Sequence, residues 1–133
     1  MGRTKGFERN EVLSKAIQVF WKKGYADTSL SDLEKATGVN KSGLYAEFKD
    51  KDDLFVASLK HYGDQHPVEG ILTAEPLGWN NIEKFLKMGM SCQGQKGCFL
   101  AYTLRELSIV PLKARQLIEQ NSTTVRNDLI ANI

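Results

Sequence analysis

Apolar residues along this chain recur at spacings of three and four and show no sustained alternation. This period places side chains on one face of an α-helix, whereas a half-buried strand requires a period of two. The clearest stripe lies near the N-terminus and is formed by Leu13, Ala16, Ile17 and Phe20. The pattern therefore predicts an all-α protein.

Local start and stop signals predict the first two helices. Gly24 follows the N-terminal stripe, and glycine is the residue that most often ends a helix. Ser29 and Asp32 have the spacing of a capping box, in which each side chain pairs with a backbone N–H of the other residue. The second helix should therefore begin after Ser29 and end at Gly38, which gives it about two turns.

Two further short helices are predicted before residue 63. Asn40 is a suitable N-cap for a helix that runs from about residue 41 to 48. Asp50 and Asp53 are placed to cap a fourth helix, whose apolar residues extend to Tyr62. The first 62 residues are therefore expected to form one compact helical domain.

A change in composition separates the two halves of the chain. Residues 63–78 contain three glycines and two prolines, which predicts a connecting loop and a division into domains 1–62 and 63–133. Later helices are predicted at 80–92, 98–109 and 112–133. Because the chain ends on Leu129, Ile130 and Ile133 without a capping residue, we expect the second helical domain to be incomplete at its C-terminus.

Charge and hydropathy limit the classes of function. The net charge is +2, and the excess falls in residues 1–62, which carry 11 Lys and Arg against 9 Asp and Glu. This asymmetry points faintly to a polyanion bound by the first half. No apolar run approaches the roughly 20 residues that a membrane span needs. We expect a cytoplasmic protein without membrane association.

Neither catalysis nor metal binding is expected. The chain lacks Gly-x-Ser-x-Gly, His-Glu-x-x-His and Cys-x-x-Cys motifs. His61 and His66 lie on either side of Gly63, which spoils a one-face metal site. Cys92 and Cys98 are expected to be reduced thiols in a cytosolic protein, with a redox switch as the alternative. The sequence therefore predicts no enzyme, no cofactor and no metal.

The second and third helices form a helix-turn-helix pattern, since two short helices are joined by a tight turn at Gly38. Packing of apolar residues against the first helix would fix the angle between them. The third helix then projects its polar N-terminal side, which suits insertion into a DNA major groove. The residues on that side are Asn40, Lys41, Ser42 and Gly43.

At these residues the sequence resembles the TetR-type transcriptional repressors, over about residues 9–62. The resemblance rests on Gly24-Tyr25, Thr28-Ser29-Leu30, Leu33, Ala36-Thr37-Gly38-Val39, Lys41-Ser42-Gly43-Leu44-Tyr45, Phe48, Lys51 and Leu54-Phe55. It implies phosphate contacts from Thr28, Ser29, Tyr45 and Lys51, groove contacts from the four polar residues above, and a flexible arm with Arg3 and Lys5. Glu47 departs from the family pattern, because an acid there would repel the DNA backbone unless Lys49 or Lys51 neutralised it.

The resemblance also implies a function for the whole molecule. It predicts a homodimer that binds double-stranded DNA at a palindromic operator, and a repressor released by a small-molecule effector. Phe85, Met88, Phe99 and Tyr102 are candidates for an effector pocket, although residues at helical spacing are more often core. One alternative is a DNA-binding activator or global regulator without a ligand. Another is a helical interaction or dimerisation module that no longer binds DNA, for which Glu47 is the only hint.

Overall fold

A computed structural model of the chain describes residues 8–65, 69–90, 99 and 103–133, and these contain helices and no strand. The α-helices are α1 (Arg9–Lys23), α2 (Leu30–Thr37), α3 (Lys41–Glu47), α4 (Lys51–Gln65), α5 (Glu69–Leu72), α6 (Trp79–Met90) and α7 (Leu112–Ala131), with a 3₁₀ helix at Thr103–Glu106. The predicted all-α class is confirmed. Within the described ranges, no helix is both long enough and apolar enough to cross a membrane.

The core of the first half forms on the predicted N-terminal stripe. Leu13, Ala16, Ile17 and Phe20 are all buried, and α1 packs against both α2 and α4. The helix-turn-helix contributes residues from both of its helices and from its turn, namely Leu33, Val39, Leu44 and Phe48. Burial of this size fixes the angle between α2 and α3, because each apolar residue removed from water contributes about 1.5–3 kcal/mol.

An aromatic cluster extends this core beyond α4. Phe99 is completely buried, with ring centroids 5.7 Å from Trp21, 5.5 Å from Tyr62 and 6.4 Å from Phe55. Ala114, Val110 and Ile118 belong to the same cluster. The described parts of the two halves therefore share one apolar core, and the division at residues 62 and 63 stays a prediction.

The predicted connecting loop is shorter than expected. Helix α4 continues through Gly63 to Gln65, and α5 occupies part of the segment interpreted as loop. A glycine inside a helix costs only about 1 kcal/mol relative to alanine. The burial of Leu59 and Tyr62 on the same helix outweighs that cost, so the helix extends three residues into the segment that composition predicted to be loop.

The prediction of an α-helix over 98–109 is wrong for its described C-terminal part. Residues Thr103–Glu106 form a 3₁₀ helix, and the N–H of Leu107 donates to the carbonyl of Leu104 at 3.3 Å. Pro111 disfavours the α conformation in the residue before it, which shortens any helix approaching it. The Arg115 side chain then satisfies the carbonyl oxygens of Leu107 and Ser108 at 3.1 and 3.4 Å.

A buried amide ties the end of α7 to the segment before α6. The Asn132 side chain is 2% exposed, and its oxygen accepts from the N–H of Gly78 at 2.8 Å and from the Asn81 amide at 2.9 Å. Its nitrogen donates to the carbonyls of Leu72 and Asp128 at 2.7 and 2.8 Å. All four hydrogen bonds that an asparagine side chain can make are thus formed.

Candidate nucleic-acid interface

The N-terminus of α2 is fixed by the predicted capping box. The Ser29 hydroxyl accepts from the N–H of Asp32 at 3.0 Å, and the Asp32 carboxylate accepts from the N–H of Ser29 at 3.0 Å. The Lys23 ammonium lies 3.0 Å from the same carboxylate. The backbone hydrogen bond from Ser29, followed by the Lys23 contact, lowers the pKa of Asp32 to about 2. Although Ser29 caps α2, it remains exposed to solvent.

Replacing Asp32 by asparagine is expected to flatten the acid limb of the stability profile. Because the folded state lowers the pKa of this carboxyl from 3.8 to about 2, its stabilising effect is complete above pH 3.8 and is lost as the pH falls towards 2. Thermal melts of Asp32→Asn between pH 5 and 2 should therefore fall less steeply than those of the wild type. The control is Asp27→Asn, because the exposed Asp27 carboxylate makes no hydrogen bond within the described residues. Equal slopes for the wild type and Asp32→Asn would contradict this role.

The turn between α2 and α3 has the geometry that its sequence predicts. Gly38 adopts φ 75° and ψ 9°, a left-handed conformation that glycine reaches without strain. Its N–H donates to the carbonyl of Glu34 at 2.9 Å. The Glu34 carboxylate in turn accepts from the N–H of Lys41 at 2.8 Å. A side chain of α2 therefore caps the first turn of α3, which sets the position of α3 relative to α2.

Helix α3 buries one side and exposes the other. Leu44 and the C-cap residue Phe48 are each 1% exposed, whereas Asn40, Lys41 and Ser42 are exposed. The Asn40 side chain accepts from the N–H of Gly43 at 2.9 Å, so it acts as the predicted N-cap. The exposed polar side is therefore held on a rigid base.

Tyr45 extends the same exposed surface. Its side chain is 41% exposed, and the Lys41 ammonium lies 5.9 Å from the centre of its ring. The structure thus brings together five of the predicted contact residues on α3 and its N-cap, of which Gly43 is half-buried and the other four are exposed. These are Asn40, Lys41, Ser42, Gly43 and Tyr45.

Thr28 and Lys51 are placed differently from these surface residues. Thr28 is 1% exposed, and its hydroxyl donates to the carbonyl of Gly24 at 2.6 Å. The Lys51 ammonium donates to the carbonyls of Tyr25 and Thr28 at 2.8 and 3.0 Å and lies 4.3 Å from the Tyr25 ring centre. Both residues hold the α1–α2 loop, residues 24–29, and their phosphate contacts stay predictions. One N–H of the Lys51 ammonium is left for such a contact.

The phenol of Tyr25 completes the contacts around this loop. It donates a hydrogen bond to the Asp52 carboxylate. Burial, followed by the hydrogen bond and negative charge of Asp52, raises the pKa of Tyr25 above its ordinary value. The phenol therefore remains protonated throughout the neutral range, as a donor to α4.

Glu47 is neutralised, but by a residue that the sequence did not suggest. Its carboxylate forms an ion pair with the Arg9 guanidinium, whereas Lys49 and Lys51 were the expected partners. The guanidinium also lies 4.6 Å from the centre of the Phe48 ring, within the range of a cation–π contact. Arg9 and Glu47 are 38 residues apart, so no local spacing could reveal their pairing.

Three of the four candidate pocket residues lie in the described part of the chain. Phe99 is part of the aromatic core, and Phe85 and Met88 are half-buried on α6. Tyr102 lies outside the described residues, as do Arg3, Lys5, His66, Cys92 and Cys98. His61 lies 3.2 Å from the hydroxyl of Ser14, and the described side chains contain no group of three or more metal-ligating residues. The effector pocket therefore stays a prediction.

Comparison with known proteins supports the interpretation of the first half. Residues 12–58 match the family model described as bacterial regulatory proteins, tetR family. Over 64 residues the chain is 50% identical to the HTH-type transcriptional repressor ComR of Escherichia coli. The matched region covers 48% of this chain and 30% of that protein. The match to this curated relative thus spans less than a third of its length.

Solved structures extend the likeness beyond α4. The reduced form of E. coli NemR superposes with a TM-score of 0.74 at 23% identity, over 91% of this chain and 66% of that chain. The TetR family transcriptional regulator CifR, solved with a 26-bp double-stranded operator DNA, superposes with a TM-score of 0.72 at 25% identity. The superposition covers 95% of this chain and 67% of that chain. Residues 12–58 thus match the tetR family of bacterial regulatory proteins, and the fold of the described chain is similar to that of a solved TetR family regulator.

Proposed function

We propose that this protein is a sequence-specific DNA-binding transcriptional regulator, and specifically a repressor released by a small-molecule ligand. The observation that carries the proposal is the exposed polar side of α3 on a rigid helix-turn-helix base. Its apolar side is anchored by Leu44 and Phe48, and its first turn is capped by Asn40 and Glu34. A recognition helix requires this combination, because the side chains that contact base edges must not shift when DNA binds.

In this proposal, different residues contact the base edges and the phosphates of the DNA. Asn40, Lys41, Ser42 and Gly43 face the major groove, where hydrogen bonds to base edges specify sequence. Ser29 and Tyr45 contact phosphates, assisted by Lys51 and by the loop that Thr28 supports. Two copies in a homodimer would place their recognition helices about 34–36 Å apart and would therefore bind a palindrome. The protein would act in the cytoplasm, as a regulator and not as an enzyme.

The structure weakens the alternative of an interaction module without DNA binding. That alternative depended on Glu47, whose negative charge would repel a phosphate backbone. The ion pair with Arg9 removes much of this repulsion, and the Glu47 side chain is only 16% exposed. The surface that would meet DNA is therefore formed by the neutral and cationic residues at the start of α3.

The first experiment is a selection. The purified protein is incubated with sheared DNA from its own source, washed at moderate salt, and the retained fragments are sequenced. Enrichment of a palindrome with half-sites about one helical turn apart is expected for a dimeric regulator. Absence of enrichment, together with a DNA affinity that does not depend on salt, would contradict the proposal, because phosphate contacts always release counterions.

Two substitutions on α3 should separate phosphate contacts from base contacts. Tyr45→Phe removes a hydroxyl donor and is expected to weaken binding to all duplexes about equally. Ser42→Ala is expected to relax the preference at one base position, at a cost of about 1–3 kcal/mol for the preferred site. Affinities for the selected duplex and for single-base variants distinguish the two. Position-specific loss from Tyr45→Phe, or uniform loss from Ser42→Ala, would contradict these assignments.

Release by a ligand needs only a modest change in the second half of the molecule. The coupling free energy between two sites is typically about 1–3 kcal/mol. Helix α4 contacts α1 and also α7, so it connects the DNA-binding helices with the rest of the chain. A true effector should raise the melting temperature as its concentration increases, which a thermal-shift screen of small molecules measures.

A further inference from the structure

A carboxylate from the second half of the chain contacts the backbone of the α1–α2 loop. Glu106 lies at the end of the 3₁₀ helix, and one of its oxygens accepts from the N–H of Tyr25 at 2.6 Å. The other oxygen accepts from the N–H of Ala26 at 3.0 Å. Hydrogen bonds to an ionised acceptor are about twice as strong as those between neutral groups. Two of them on consecutive N–H groups fix both the position and the direction of the loop.

Lys51 binds the backbone carbonyl groups of the same loop. Its ammonium donates to the carbonyls of Tyr25 and Thr28, whereas the Glu106 carboxylate accepts from N–H groups. The peptide groups of the loop therefore lie between an anion from the second half and a cation from α4. This arrangement aligns their dipoles favourably with both charges.

Gly24 makes room for the carboxylate. It adopts φ +86°, and a Cβ atom at this position would lie 2.8 Å from one oxygen of Glu106. Any side chain here would therefore both strain the backbone and displace Glu106. The loop thus has a residue that permits the close approach and two N–H groups that use it.

We propose that Glu106 is a positioning residue that couples the 3₁₀ helix to the helix-turn-helix. The loop that it holds ends at Ser29, the N-cap of α2 and a proposed phosphate contact. A displacement of residues 103–106 would therefore move the start of α2 directly, without passing through α4. The inference deepens the proposed function, since its regulatory meaning rests on DNA binding by the first half.

The 3₁₀ helix is itself anchored well enough to transmit a displacement. Thr103 is 4% exposed, and the turn after Glu106 is tied to α7 by Arg115 through the carbonyls of Leu107 and Ser108. Val110 is 3% exposed and belongs to the core cluster. A change in the position of α7 would therefore carry Glu106 with it.

Hydrogen exchange tests the coupling without requiring DNA. In Glu106→Ala, the amides of Tyr25 and Ala26 should exchange at least about tenfold faster, because each loses a charge-assisted hydrogen bond. Glu106→Gln retains one acceptor oxygen and should give an intermediate result. The control is Glu119→Ala on α7, which removes an exposed carboxylate without hydrogen bonds among the described residues. Unchanged exchange in Glu106→Ala would overturn the inference.

The selected duplex then tests the regulatory meaning. Glu106→Ala should weaken its binding by about fivefold or more, and Lys51→Met should weaken it non-additively with Glu106→Ala, since both hold one loop. If the wild type binds no DNA, the proposed function fails while the exchange rates still test the coupling. If the wild type binds DNA and Glu106→Ala binds equally well, the coupling fails while the function stands.

Gly24→Ala separates positioning from a general loss of stability. In the wild-type background the new methyl group meets the Glu106 carboxylate, whereas in the Glu106→Ala background only the backbone strain remains. The substitution should therefore accelerate exchange at Ala26 much more in the wild type than in Glu106→Ala, which already lacks the hydrogen bond. An equal acceleration in both backgrounds would mean that Gly24 and Glu106 act independently, and would contradict the proposed contact.

Discussion

Replacing Phe55 by alanine is expected to lower the free energy of unfolding by about 3–5 kcal/mol. The side chain is completely buried, and its ring centroid lies 4.9 Å from that of Phe20 and 4.9 Å from that of Tyr25. It also contacts Phe99, so its removal opens a cavity between α1, α4 and the second half of the chain. The surrounding rings are too rigid to close such a cavity, because interiors are packed as densely as organic crystals.

Urea denaturation followed by circular dichroism measures this loss. Phe85→Ala is the matched control, since Phe85 is only half-buried on α6 and lies outside the core cluster. Its cost should be well below that of Phe55→Ala. Comparable losses for the two variants, or a loss below about 1 kcal/mol for Phe55→Ala, would show that the aromatic cluster does not hold the two halves together.

The substitution Lys41→Glu is expected to reduce affinity for the selected DNA by on the order of 100-fold, which corresponds to about 2.7 kcal/mol. Lys41 is exposed at the first residue of α3, and the Glu34 carboxylate already lies at its backbone N–H. A second carboxylate there would concentrate negative charge where the DNA is closest. Like charges brought together across an interface cost several kcal/mol, so weaker binding is the expected sign.

The matched control is Lys113→Glu, the same change of charge on α7. Lys113 is exposed and makes no hydrogen bond or ion pair within the described residues, so its reversal alters the net charge equally but leaves α3 intact. Binding measured at several salt concentrations should show a shallower dependence for Lys41→Glu than for the control. Equal losses for both variants would mean that net charge alone, and not the position of α3, determines affinity.

Local signals in the sequence predicted the helix-turn-helix well. The capping box, the left-handed turn glycine and the N-cap of α3 each depend on a hydrogen bond between residues three or four positions apart. The pairs are Ser29 with Asp32, Gly38 with Glu34, and Asn40 with Gly43. Such contacts depend on side-chain chemistry and spacing, which a sequence displays directly. The predicted positions of α2 and α3 are confirmed to within one residue for the same reason.

Contacts between distant residues could not be predicted in this way. Arg9 reaches Glu47, Glu106 reaches Tyr25 and Ala26, and Asn132 reaches Gly78 only because the chain has already folded. Each of these side chains belongs to a common polar or charged residue, and the residues next to it in the sequence form no motif that would indicate its contact. The 3₁₀ helix was missed for a related reason, since its apolar spacing also fits an α-helix.

The aromatic cluster gives the molecule an intrinsic optical reporter. The chain contains two tryptophans, and Trp79 is 67% exposed whereas Trp21 is 2% exposed. The Trp21 ring packs edge-to-face against Tyr62 and at a tilt against Phe99, and within the described residues its indole N–H makes no hydrogen bond. Its fluorescence should therefore lie at short wavelength and resist an aqueous quencher. In a Trp79→Phe background, a red shift of the remaining emission would signal separation of the two halves of the chain.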